Sequence, residues 1–138
     1  MKILFSGYHN PHYETVTEYM ERALRALGHA VVVYDDRRHV IPGRIRSRVG
    51  WLNRLDLACI NRGLVETARR EAVDAVVVTG GDRILAETVD RIRSMGIVTA
   101  LWTTDPPRGR MPHLEAAPRY DHVFCQGSEF VDLLRERG

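Results

Sequence analysis

The run Lys2-Ile3-Leu4-Phe5-Ser6, the spaced residues Val16, Tyr19, Met20, Ala23, Leu24 and Leu27, and the run His29-Ala30-Val31-Val32-Val33-Tyr34 decide the fold. The first run is apolar and too short for a signal-peptide core, so it reads as a strand, the first and central one. The spaced residues fall on one face of a helix over 13–27, and Gly28 supplies a left-handed stop. The third run is β-branched and apolar, a second strand closed by Asp35-Asp36. Strand, helix and strand in this order imply a parallel pair joined by a crossover.

The alternation continues along the chain. Residues 37–48 are polar, hold Pro42-Gly43 and show no period, which predicts a long loop of the functional or mobile kind. Helical spacing returns from about 50 to 72 through Leu52, Leu55, Ile60, Leu64 and Ala68, with Gly63 either an interruption or a point of close packing. Val73-Asp74-Ala75-Val76-Val77-Val78-Thr79 is a third strand, and 84–95 is a helix ended by Gly96. Residues 97–102 form a fourth strand, 106–118 an irregular stretch with one short helix near 113–117, and 120–125 a fifth strand. Ser128 and Glu129 open a last helix through Val131, Leu133 and Leu134. The expected fold is a single α/β domain: a doubly wound, five-stranded parallel sheet with helices on both faces.

Composition sets bounds. A chain of 138 residues, 44% apolar and 28% charged, suits one globular domain with a core of its own. No apolar run reaches the length of a membrane span. Cys59 and Cys125 are far apart and form no C-x-x-C pair, which points to reduced thiols, a cytoplasmic location and no zinc site. From position 36 to 70 there are nine arginines against three acids, an excess suited to an anion or an acidic partner. Lys2 is the single lysine, so abundant arginine is not in itself phosphate recognition, and no nucleic-acid partner is expected.

With all strands parallel, their carboxyl-end turns gather on one edge, where open α/β sheets bind ligands. Gly7-Tyr8-His9-Asn10-Pro11-His12-Tyr13 carries hydrogen-bonding and aromatic side chains, and either His9 or His12 suits a general base near neutral pH. The plainer reading has Asn10 and His12 capping the helix. Gly80-Gly81-Asp82 ahead of a helix offers backbone amides to an anion or hydroxyl, with Asp82 as ligand contact or N-cap. Trp102-Thr103-Thr104-Asp105 ends the fourth strand in a turn stiffened by Pro106 and Pro107, and Gln126 and Ser128 follow the fifth. Sharper signatures are missing: no Gly-x-Gly-x-x-Gly after the first strand, no Gly-Lys-Ser/Thr loop, no Gly-x-Ser-x-Gly elbow and no phospho-acceptor aspartate. Cys125 reads as a buried thiol rather than a nucleophile.

In these residues the chain resembles, over its whole length, the amino-terminal domain of the CgeB-type (spore maturation protein CgeB-like) glycosyltransferases of the GT-B group. The resemblance rests on Lys2-Ile3-Leu4-Phe5-Ser6-Gly7, Leu27-Gly28-His29, Asp74-Ala75-Val76-Val77-Val78, the Trp102-x-x-Asp105-x-Pro107 turn and Tyr120-Asp121-His122-Val123-Phe124. It implies a Rossmann-like acceptor-side domain, residues 1–138, of a two-domain enzyme of bacterial type. A nucleotide sugar would be the donor substrate, held mainly by a carboxyl-terminal domain or partner chain absent here. The acceptor would be a small molecule, a glycan or a protein. Transfer would use no metal and no further cofactor, and Asp105, His9 and His12, in that order, are the candidate bases. Gly7, Tyr8, Asn10, Gly80, Gly81, Asp82, Trp102, Thr103, Thr104, Gln126 and Ser128 are the expected substrate contacts. Ending at Arg137-Gly138, where another strand would follow, the chain reads as one half of a larger protein, inactive alone; a natural end there stays open. The alternative is a stand-alone flavodoxin-like ligand-binding or protein-interaction domain able to form a homodimer.

Overall fold

The protein, here a computed structural model, is described at residues 1–10, 12–38, 49–104, 115–126 and 131–132. The strands are β1 Lys2–Gly7, β2 Ala30–Asp35, β3 Ala75–Thr79, β4 Val98–Thr103 and β5 His122–Cys125. The helices are α1 Val16–Ala26, α2 Gly50–Arg70 and α3 Ala86–Ser94, and a 3₁₀ turn spans Ala117–Arg119. The five strands form one sheet in the order β2-β1-β3-β4-β5, and every neighbouring pair is parallel. The expected α/β fold is therefore present. β1 is an interior strand, while the middle place belongs to β3.

That order dictates the layers. The chain leaves β1 outward to β2, then returns past β1 to β3, and right-handed crossovers in opposite directions put their helices on opposite faces. On one face Leu4, Val76, Val78 and Leu101 pack with Leu64 and Ala68 of α2 and with Val89 and Ile92 of α3. Each fully buried aliphatic side chain there contributes about 1.5–3 kcal/mol of transfer free energy. On the other face Ile3 and Phe5 are buried on the α1 side. Gly7 is where α1 comes closest: a Cβ there would sit 2.9 Å from Thr17 Cγ2 and would collide with Thr79 Oγ1.

The helix read over 13–27 forms, but its buried stripe is not the expected one. Val16, Tyr19 and Leu27 are 56%, 59% and 73% exposed, whereas Thr17 is buried and Met20 and Leu24 are half-buried. A capping box fixes the start, with Thr15 Oγ1 accepting from Thr17 N at 3.2 Å and the Glu18 carboxylate accepting from Thr15 N. The small Thr17 is then the residue that fits beside Gly7, so the stripe turns by one position. Tyr19 is left outward, under the Arg22 guanidinium.

Gly63 does not interrupt α2. It faces the Tyr34 ring, whose hydroxyl donates to Ile60 O at 2.6 Å, and a Cβ at 63 would lie 2.6 Å from that hydroxyl oxygen. The residue is a point of close packing. The expected loop is described only as far as residue 38, the short helix expected near 113–117 is described only from 115, and Ser128 lies outside the described residues. No helix among the described residues is long and apolar enough to cross a membrane.

Candidate functional site

The sheet order reverses between β1 and β3, and at such a point the turns diverge and leave a crevice. Here it is a cleft of about 160 Å³. Tyr8 follows β1, Asp36 and Arg37 follow β2, Thr79 to Arg83 follow β3, and Trp102 and Thr104 come from the end of β4; all of them line it. Four of the five turns named from sequence thus meet at one place.

Asp36 is its most unusual group. It is 4% exposed, and its Oδ2 accepts from Ser6 Oγ at 3.3 Å. Ser6 is itself fully buried near the end of β1. Burial drives the Asp36 pKa up to about 6, against the opposing pull of the Ser6 hydroxyl and of the Arg37 and Arg83 charges. A carboxyl of that pKa is mostly ionised at neutral pH yet more basic than a surface aspartate. Arg37 beside it stacks on Tyr8, its Cζ 5.3 Å from the ring centroid, and its Nη2 reaches Asp82 Oδ2 at 3.7 Å. One guanidinium thereby ties together the turns after β1, β2 and β3.

The Gly80-Gly81 turn differs from its reading as a source of free amides. Gly80 N donates to Trp102 O at 2.8 Å and Gly81 N to Thr79 O at 2.9 Å, so both donors are already engaged. The glycines are needed for shape instead, since both hold φ near +80° (76° and 82°). Asp82 does not cap the helix either. α3 starts at Ala86 behind Leu85, and its cap comes from α2: Asn61 Oδ1 accepts from Leu85 N at 2.9 Å and from Thr88 Oγ1 at 2.7 Å. Asn61 Nδ2 also donates to Arg83 O, and Arg83 Nη2 donates to the fully buried Asp56 at 3.0 Å. Buried, multiply bonded contacts of this kind hold the β3–α3 turn against α2, giving the cleft a stiff wall.

The predicted bases fare differently from the predicted walls. His9 turns away toward α1, its Nδ1 3.3 Å from Gly7 O and its Nε2 3.3 Å from Glu21 Oε2, and it lines a separate hollow with Asp35, Arg38 and Cys59. His12 is exposed, and its N donates to Asn10 Oδ1 at 2.9 Å, a local turn that accounts for Asn10. Gly7 is buried at the close approach to Thr17. Asp105 lies outside the described residues. Thr103 and Gln126 line a second hollow next door, with Trp102, Thr104, Phe124 and Cys125. Cys125 is half-buried, and burial raises its thiol pKa.

One further residue acquires a structural role. Asp121 accepts from Thr99 N at 2.9 Å, from Thr99 Oγ1 and from Arg93 Nε, bonds that hold its carboxyl below the usual range and fasten β5 to β4. Sequence reading placed Asp36 at the site edge but did not select it as a base. The available signal was an acid just past β2 in the chain with a serine near the end of the adjacent β1, two strand ends that a parallel pair brings side by side. No protein-family model matches the chain, and no curated protein matches it.

Proposed function

We propose that this chain is the acceptor-side domain of a glycosyl-transferring enzyme, holding a hydroxyl-bearing acceptor in the switch-point cleft with Asp36 as general base. The observation that carries the reading is a buried carboxyl, its pKa pushed up to about 6, lining a small cleft at the carboxyl edge of the sheet. The resemblance to the CgeB-type glycosyltransferases supplies the reaction class.

In this account the acceptor hydroxyl gives its proton to Asp36 as its oxygen attacks the anomeric carbon of a nucleotide sugar. The bond from that carbon to the diphosphate breaks, the diphosphate leaves with the electron pair, and Asp36 returns its proton to solvent. Ser6 fixes the carboxylate, and Trp102 and Tyr8 provide flat walls against which a ring can rest. The donor belongs to a second domain or chain. A second reading, a stand-alone ligand-binding domain, is favoured by the fact that four turns of this one chain suffice to line the cleft.

Adding methyl glycosides of glucose, galactose, mannose and N-acetylglucosamine to the ¹⁵N-labelled protein tests the site. At least one is expected to shift the Gly80 and Gly81 amides and the Trp102 indole, with the response lost in Asp36→Asn. Shifts confined to residues outside the cleft would refute the assignment. Glycosyl transfer on addition of nucleotide sugars and a donor domain would favour the enzyme over the binding module.

A further inference from the structure

Beside the polar cleft the sheet leaves aromatic surface uncovered. Val98 and Trp102 of β4 and Phe124 of β5 fall on one face, and they are 41%, 38% and 52% exposed. Trp102 and Phe124 are register partners with ring centroids 6.1 Å apart and planes tilted by 31°. They border an open hollow of about 630 Å³ whose other walls include Val123, Cys125 and Val131. Large aromatic side chains left exposed together are a recognition feature in soluble proteins.

What identifies the occupant is continuity with the cleft. Trp102 and Thr104 line both the small cleft and the large apolar hollow, so the two adjoin at these residues. The threonines and carboxylates at the walls of the cleft suit hydroxyl groups. The neighbouring hollow offers stacking faces and few polar groups.

We infer that the ligand of this site is amphiphilic: a polyol head in the cleft joined to a planar apolar group that lies on the Trp102–Phe124 shelf. This rests on the reading of the cleft as a hydroxyl-binding site and goes beyond it by naming the second half of the ligand. An aryl glycoside is the simplest molecule with both parts, its ring spanning the few ångströms from the Trp102 edge to Phe124.

Isothermal titration with phenyl and methyl glycosides of the same four sugars tests it. For any sugar that binds, the phenyl form is expected to bind at least tenfold more tightly, with shifts in the Phe124 ring signals, and Phe124→Ala is expected to bring the ratio to about one. Phe124 is more than half exposed, so this variant keeps its core. Equal affinities of phenyl and methyl forms would overturn the inference while leaving the cleft reading intact; failure of every methyl form to bind would overturn both. A dimer abolished by Phe124→Asp would also overturn it, by assigning the shelf to a second copy of the chain.

Discussion

Ser6 Oγ donates to Asp36 Oδ2 at 3.3 Å, joining the ends of two adjacent parallel strands at the floor of the cleft. The bond holds in place a carboxyl whose burial the fold tolerates at a cost. Such strained or desolvated groups collect where function requires them.

That cost has a sign. The folded pKa of Asp36, about 6, lies above the ordinary value of 3.8, so the folded state holds the extra proton in that interval. The stabilisation is fully present below about pH 4 and is lost as pH rises through about 6, at most about 3 kcal/mol over the range. Asp36→Asn keeps an acceptor for Ser6 without the charge. It is expected to raise stability by about 1–2 kcal/mol at pH 8 and to change it little at pH 4, as read from urea melts. A loss of stability at pH 8 would contradict this.

Gly63→Ala ought to gain about 1 kcal/mol from helix propensity. The new methyl, however, meets the Tyr34 hydroxyl at 2.6 Å, where that hydroxyl is engaged by Ile60 O. A net loss of about 1–2 kcal/mol is expected. In a Tyr34→Phe background the same substitution should become neutral or stabilising; an equal loss in both backgrounds would place the strain elsewhere.

Asn61 makes four hydrogen bonds: it accepts from Leu85 N and Thr88 Oγ1 at the start of α3, and it donates to Arg83 O in the turn before α3 and to Leu57 O within α2. Asn61→Ala leaves buried partners unsatisfied and is expected to cost about 2–4 kcal/mol. It should also broaden the amide signals of Gly80 and Gly81, because the wall of the cleft loses its anchor. A cost below 1 kcal/mol would show that the network is dispensable.

Among the described residues the buried Tyr120 hydroxyl has no hydrogen-bond partner, and burial pushes its pKa well above the usual value. Tyr120→Phe removes only that oxygen, so stability is expected to hold or to rise by up to about 1 kcal/mol. A loss above 1 kcal/mol in thermal unfolding would reveal a partner for the hydroxyl.

The strands were legible because buried parallel strands are nearly continuous apolar runs, as at Val76-Val77-Val78, bounded by glycines or acids. Sheet order was not legible, since local runs carry no information on which neighbour a strand takes. The buried face of α1 differs from the one hydropathy indicates, which favours Val16 and Tyr19, because the narrow space beside Gly7 admits Thr17. Tyr8, Gly80, Gly81, Asp82, Trp102 and Thr104 could be grouped from sequence, as they all follow strands. The use of the Gly80 amide could not, because its acceptor is the Trp102 carbonyl on another strand. Nor could the rise in Asp36 pKa, which depends on burial beside Ser6 rather than on adjacent sequence.

The most direct test of the account is a ¹³C-carboxyl NMR titration of Asp36 between pH 3 and 9 in the free protein. A midpoint near 6 is expected, moving when a bound glycoside occupies the cleft. A midpoint at the ordinary value near 4, unmoved by any glycoside, would contradict it.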